Sequence, residues 1–204
     1  MNRKLGMWGS LVNVCAVAVF ALCMLLGSAD MGSYFASIFI AFGFVIMICS
    51  FCVELTQEKK AAGYTAMIFA GMYAVLILMV YFAQLTTVRL DSLTGQALKL
   101  LDFQQFGLFF SYDLLGYSLM ALSTFFIGIT ITVRTKADQW LKWLLIIHGV
   151  FFIACLLLPM LGVFRPDMEG VDWIGVAVLE FWCAYFIPVG ILSFLHFKRQ
   201  KEAA

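Results

Sequence analysis

Residues 64–84 have the sequence YTAMIFAGMYAVLILMVYFAQ, which contains no charged side chain. About 20 predominantly apolar residues are needed for one helical crossing of the hydrocarbon core of a bilayer. Five further stretches have a similar length and composition, so the predicted spans are 6–27, 33–53, 64–84, 106–132, 140–161 and 173–197. We therefore predict an all-α polytopic membrane protein whose single domain is a bundle of about six transmembrane helices.

The composition of the whole chain agrees with this prediction. Of the 204 residues, 64% are hydrophobic and only 12% are charged, whereas a soluble domain has about 25% charged residues. The strands of a membrane β-barrel alternate apolar and polar residues, but these runs are apolar on every face. There is no basic patch interleaved with aromatic residues, so we expect the lipid bilayer and not nucleic acid as a partner.

The positions of the basic residues predict the orientation of the spans, because Lys and Arg are enriched in cytoplasmic loops. One side of the predicted topology carries ten of them, at Arg3, Lys4, Lys59, Lys60, Arg134, Lys136, Lys142, Lys198, Arg199 and Lys201. The opposite side carries three, at Arg89, Lys99 and Arg165. We predict a multi-pass protein of the cell membrane with both termini in the cytoplasm.

Two acidic residues fall inside the predicted spans. Asp113 and Glu180 each lie about seven residues inward from the external start of their run, which is roughly 10 Å at 1.5 Å per residue. Ionisable groups within a membrane are costly and therefore suggest a function. Two acids at one depth predict an externally open acidic cavity that binds a small cation or a proton.

Other polar residues lie near these acids. Tyr117 is one helical turn inward from Asp113, and Tyr112 is its neighbour in sequence. His148 lies near the middle of the fifth run, where an imidazole would relay protons to the acids. We predict ligand-binding roles for all five residues. The alternative is structural, with the same groups buried as hydrogen-bonded or protonated side chains.

Two external loops bear on access to such a cavity. The loop from about residue 85 to 105 predicts a short amphipathic helix on the outer surface, which would act as a lid or simply seal the bundle. The loop 162–172 concentrates charged residues, at Arg165, Asp167, Glu169 and Asp172.

The sequence contains no motif that indicates a cofactor or a metal. A His-Glu-x-x-His metal motif, a Gly-x-Ser-x-Gly nucleophile and a Walker loop are all missing from it. The six cysteines all fall inside apolar runs, where we expect small buried side chains and not disulfides.

Small residues repeat every four positions along the third run, at Ala62, Ala66, Ala70 and Ala74. A smooth face of this kind allows close approach of another helix, either from the same chain or from another membrane protein.

Three functions remain open at this stage. The first is binding or transport of a small molecule or ion through the acidic cavity. The second is a structural or regulatory subunit of a membrane complex, with the face at Ala66, Ala70 and Ala74 as the docking surface. The third is a membrane-embedded lipid-modifying enzyme that uses Asp113, Glu180 and His148 as acid–base groups.

Overall fold

The structure, a computed structural model, describes residues 1–27, 30–164 and 171–199. Every regular element within those ranges is a helix, and they contain no strand. The side chains of residues 30, 171 and 172 are not described. The predicted charged loop residues Arg165, Asp167, Glu169 and Asp172, and the basic residue Lys201, therefore fall outside the described part.

Six helical segments are long and apolar enough to cross a membrane. This confirms the prediction of an all-α bundle with six spans. The helices, in chain order, are α1 (Asn2–Leu26), α2 (Asp30–Cys52), α3 (Lys60–Leu85), α4 (Gly95–Leu101), α5 (Leu108–Thr130), α6 (Lys136–His148), α7 (Phe151–Met160) and α8 (Val171–Arg199). Short 3₁₀ turns occupy Gln57–Lys59, Val88–Leu90 and Phe103–Gln105.

The fifth span, predicted over 140–161, is divided into two helices. α6 ends at His148 and α7 begins at Phe151. Between them the chain makes tighter hydrogen bonds over three residues, from the N–H of Gly149 to the C=O of Ile146 at 3.0 Å. A Cβ atom on Gly149 would lie 2.9 Å from the Cβ of Phe125 in α5. The break therefore lies where this span presses on α5.

The helices form a closed ring. α1 packs between α2 and α8, α3 packs between α2 and α5, and α6 packs between α5 and α8, while α7 packs on α5. The Arg3 guanidinium donates to the C=O of Lys198 at 3.0 Å, which brings the start of α1 to the end of α8. We call this end, with the loops 53–59 and 131–135, the terminal end. The other end carries the segment 86–107, and we call it the loop end.

Small residues allow α1 and α2 to cross closely. A Cβ atom on Gly43 would lie 2.7 Å from the backbone nitrogen of Asn13 and 2.9 Å from the carbonyl oxygen of Gly9. The Asn13 side-chain amide donates to the C=O of Ile40 at 3.2 Å across the same crossing. Such contacts between small residues are a common means of helix association in membranes.

The small-residue face of α3 is buried within the chain. Ala66, Ala70 and Ala74 are all buried, and α2 and α5 pack on their helix. The Ser123 hydroxyl of α5 donates to the C=O of Ala66 at 2.7 Å. Helices of the same chain thus pack closely against Ala66, Ala70 and Ala74.

The outside of the bundle is apolar. Large hydrophobic side chains on four of the spans are at least 60% exposed, among them Leu22, Ile68, Val75, Phe82 and Phe181. Lipid tails need no polar surface opposite them, whereas water would make such exposure unfavourable. The six apolar spans and this exterior are compatible with a multi-pass membrane protein.

Candidate functional site

Asp113 lies on α5, about one and a half turns from the loop end of that helix. Its side chain is buried, and only 4% of the residue is exposed. The Tyr81 hydroxyl of α3 interacts with the carboxyl group and also with Ser37 of α2. The Oδ1 atom of Asp113 is buried and has no hydrogen-bond partner in the described part of the chain. A buried carboxylate oxygen without a partner is costly, so this group is the first candidate for a function.

Two further tyrosines complete the surroundings of the carboxyl group. Tyr73 of α3 is fully buried, and its hydroxyl also lacks a hydrogen-bond partner among the described residues. Its ring centroid lies 5.8 Å from that of Tyr117 in an edge-to-face arrangement. The hydroxyl groups of Tyr73 and Tyr117 both interact electrostatically with Asp113. We call Asp113, Tyr73, Tyr81 and Tyr117 the Asp113 cluster.

The segment 86–107 covers this cluster at the loop end. The ring of Phe103 lies 6.0 Å from the ring of Tyr81 and 5.1 Å from that of Phe110. Gln84 of α3 holds this segment against the bundle by two hydrogen bonds. Its Nε2 donates to the C=O of Leu101 at 2.7 Å, and its Oε1 accepts from the N–H of Phe103 at 3.1 Å. A short helix, α4, exists in this segment, but the residue of the segment whose ring contacts Tyr81 is Phe103, which follows α4.

His148 is buried at the end of α6 with both ring nitrogens in hydrogen bonds. The indole N–H of Trp182 donates to Nε2 at 3.1 Å. Nδ1 lies 2.8 Å from the Thr124 hydroxyl, which itself donates to the C=O of Ala121. Nδ1 therefore carries the proton and the ring is neutral. Ring contacts join His148 to the Asp113 cluster through Trp182, whose ring lies 5.4 Å from that of Tyr117. A second series of ring contacts runs from His148 through Phe186 and Phe44 to Tyr73.

Glu180 and Tyr112 lie apart from the cluster. Glu180 is half-buried on α8, its Oε1 atom has no hydrogen-bond partner within the described ranges, and it interacts electrostatically with Cys183. Cys183 in turn interacts with Tyr117 of the Asp113 cluster. In the described ranges, no hydrogen bond joins Glu180 to Asp113. The ring of Tyr112 packs 6.3 Å from that of Phe109.

A second polar cluster lies at the terminal end. The two ring nitrogens of His196 face carboxylate oxygens, Asp138 Oδ1 at 2.9 Å and Glu54 Oε2 at 3.1 Å. Both nitrogens donate if both carboxylates accept, and the ring is then an imidazolium. Arg199 donates to Asp138 Oδ1 at 3.0 Å and to the Thr135 hydroxyl at 2.8 Å. This cluster joins the ends of α2, α6 and α8.

Two residues of the terminal-end cluster, Thr135 and Asp138, form a pattern that is recognisable in the sequence. Thr135 and Asp138 form a capping box at the start of α6, a pattern that a Thr followed three residues later by an acid predicts. No spacing links Glu54 to His196, because 142 residues separate them. The pairing depends on how the helices pack.

The part of the chain that the structure describes contains two cavities of similar size. One, of about 530 Å³, opens at the terminal end and is bordered by His196 and Arg199. The other, of about 540 Å³, is an apolar groove on the outer surface between α2 and α3, bordered by Phe42 and Phe82. Neither is lined by Asp113 or Glu180.

In the described ranges, no group of three or more His, Cys, Asp and Glu side chains is arranged to hold a metal ion. Neither a protein-family model, a curated protein nor a solved structure matches this chain.

Proposed function

We propose that this chain is an integral membrane protein that binds a small cation or a proton inside the helix bundle, with Asp113 as the counter-charge, and moves it across the membrane. The observation that carries the proposal is the buried Oδ1 atom of Asp113, which no group in the described part of the chain satisfies. An ionised carboxylate in an apolar interior is strongly unfavourable unless it is paired. The carboxyl group therefore either takes up a proton or pairs with a cation.

The tyrosines of the Asp113 cluster favour a ligand at this position. The Tyr73 hydroxyl is a second buried group without a partner among the described residues, and it is able to accept or donate a hydrogen bond. The ring of Tyr117 offers a π surface that attracts cations. A carboxylate beside aromatic rings suits a small ammonium or alkali cation as well as a proton.

The segment 86–107 serves as the gate in this proposal. Phe103 lies over Tyr81, and a ligand that enters from the loop end must displace it. Gln84 holds the backbone on both sides of Asp102, through Leu101 and Phe103. Opening therefore requires that these two hydrogen bonds break, which limits access without any motion of the long helices.

The orientation belongs to the same proposal. Ten of the 13 basic residues fall at the terminal end or in the chain ends next to it, so we infer that this end is cytoplasmic and that the protein resides in the cell membrane. The Asp113 cluster then faces the outside through the segment 86–107. Glu180 remains a predicted second acid on the path, while His148 has both nitrogens occupied and serves chiefly to fix Trp182 beside Tyr117.

The test compares purified wild-type protein with Asp113→Asn and with Glu180→Gln as the matched control. Thermal unfolding midpoints are measured in detergent across a pH series and with Na⁺, K⁺, ammonium and choline at constant ionic strength. A bound cation or proton raises the midpoint by mass action. We expect a shift in wild type and in Glu180→Gln that is lost in Asp113→Asn.

A measurement of uptake into liposomes then distinguishes transport from binding alone. Each variant is reconstituted into liposomes, and uptake of the cation that shifted the midpoint, or of protons under an imposed potential, is followed. Loss of uptake in Asp113→Asn supports the proposal, and a further loss in Glu180→Gln, which keeps the midpoint shift, would place Glu180 on the path but outside the binding site. If no cation and no pH change shifts the wild-type midpoint while Asp113→Asn is fully stable, Asp113 is a structural protonated carboxyl group and the proposal fails.

A further inference from the structure

The cleft at the terminal end has the residues of an anion site. It lies between the ends of α2, α5 and α8 and has a volume of about 530 Å³. Three cationic side chains line it, Lys59, Arg134 and Arg199, together with the hydroxyl-bearing residues Thr56 and Thr132. This site is separate from the Asp113 cluster, which lies toward the loop end of the bundle.

The carboxylates of this region are already engaged. Glu54 lines the cleft and faces Nε2 of His196, while Asp138 faces Nδ1 of the same ring. Asp138 also accepts from Arg199 and from the backbone N–H of Thr135. These contacts balance the charge of His196 and Arg199 against the two acids.

The other two cations of the cleft have no acidic partner in the described ranges. The Lys59 ammonium donates to the C=O of Thr130 at 2.8 Å and to the Thr132 hydroxyl at 3.1 Å, both of which are neutral. The Arg134 guanidinium is exposed and makes no hydrogen bond or ion pair there. Two positive charges on the cleft wall are thus uncompensated.

The start of the third span adds a weaker attraction. The 3₁₀ turn Gln57–Lys59 leads directly into α3, and the Thr56 hydroxyl at its N-cap position makes no capping hydrogen bond. Thr56 and Lys59 both line the cleft. In the described part of the chain the Thr56 hydroxyl is therefore available to hydrogen-bond an anion beside Lys59 and Arg134.

We propose that this cleft binds a phosphate group, which Lys59 and Arg134 neutralise and Thr56 and Thr132 hydrogen-bond. A guanidinium and an ammonium are the side-chain groups that proteins use most for phosphate. The cleft lies at the ends of the apolar helices, which is where lipid headgroups would lie if these helices cross a bilayer. The phosphate therefore belongs to an anionic lipid or to a soluble phosphorylated compound, and the test distinguishes the two.

The test uses the full-length protein and variants that each remove one positive charge. Arg134→Gln and Lys59→Gln alter the cleft, and Lys136→Gln is the control because Lys136 is exposed at the same end and does not line the cleft. Arg134→Gln breaks no contact in the described part of the chain, so it is expected to fold. Thermal unfolding midpoints are measured in detergent with inorganic phosphate against chloride at equal ionic strength. They are also measured in nanodiscs of phosphatidylcholine with and without phosphatidylglycerol.

We expect wild type and Lys136→Gln to be stabilised by at least one of the two probes. Arg134→Gln and Lys59→Gln should each need about tenfold more of that probe for the same shift, the loss typical of one charge-assisted hydrogen bond. A response to inorganic phosphate identifies a soluble ligand, and a response to phosphatidylglycerol alone identifies a lipid headgroup. The proposal is wrong if neither probe stabilises wild type, or if Lys136→Gln weakens the response as much as Arg134→Gln does.

Discussion

At the scale of single residues, the crossing of α1 and α2 leaves no space for a methyl group on Gly43. The atoms that a Cβ would meet are the backbone nitrogen of Asn13 and the carbonyl oxygen of Gly9. Backbone atoms cannot move aside as the end of a flexible side chain can. The distance between these two helices is therefore set by the absence of a side chain at one position.

Gly43→Ala should destabilise the protein by about 1–3 kcal/mol, the usual effect of overpacking. Gly71→Ala is the matched control, because a Cβ on Gly71 would meet nothing within 4 Å and alanine favours the helix. Unfolding midpoints in detergent are the measurement. Equal midpoints for Gly43→Ala and wild type would mean that α1 and α2 cross less closely than described here.

Individual site residues differ in how far the sequence predicts them. Asp113 stands out because a charge inside an apolar run is rare, and Tyr117 follows from the helical repeat within the same span. Tyr73 and Tyr81 give no such signal, since aromatic residues are common in apolar helices. Their place beside Asp113 depends on the rotation of α3 against α5, which a single sequence does not encode in any simple pattern.

At the scale of elements, the segment 86–107 depends on one side chain of a neighbouring helix. Gln84 of α3 is 3% exposed and holds Leu101 and Phe103 by hydrogen bonds. If that amide is removed, a carbonyl oxygen and an N–H lose their partner, at a cost of about 1–3 kcal/mol for each buried group. The segment should then leave the bundle more often while the long helices stay folded.

Gln84→Leu should therefore speed tryptic cleavage after Arg89 and Lys99 by roughly tenfold or more, since about 1.4 kcal/mol changes an opening equilibrium tenfold. Gln96→Leu is the control, because Gln96 is exposed in the same segment. Cleavage is followed on folded protein in detergent. Identical rates for the two variants would show that Gln84 does not hold the segment.

Hydropathy predicts the positions of the helices closely. The exception is the fifth run, which the structure divides into α6 and α7. The fifth run is apolar through Gly149, so composition alone predicts one uninterrupted span. The structure breaks the span at Gly149, where the backbone passes too close to Phe125 of α5 to leave space for a side chain. A contact between helices decides this local geometry, and hydropathy does not contain that information.

At the scale of the whole molecule, the arrangement of charge predicts the topology. The start of α1, the end of α8 and the loops 53–59 and 131–135 lie at the terminal end, and the sequence around them carries the surplus of Lys and Arg. The bilayer requirement that backbone groups bond internally restricts the fold to helices once the barrel is excluded. The order in which the helices close into a ring, with α8 beside α1, was beyond the sequence analysis.

Single-cysteine labelling tests the inferred orientation in intact cells. Gln96→Cys, in the segment 86–107, should react with a membrane-impermeant thiol reagent, whereas Glu58→Cys should react only after lysis. Both positions are exposed, so reagent access differs only by the side of the membrane. The opposite pattern would invert the topology and place the Asp113 cluster toward the cytoplasm.

The burial of Trp182, whose indole donates a hydrogen bond to His148, has a spectroscopic consequence. Trp182 is 6% exposed, while the other four tryptophans are between 51% and 71% exposed. Brominated lipids should quench the fluorescence of those four and leave the emission of Trp182. Because its indole lies against Tyr117, the surviving signal is an intrinsic optical reporter of whatever occupies the centre of the bundle.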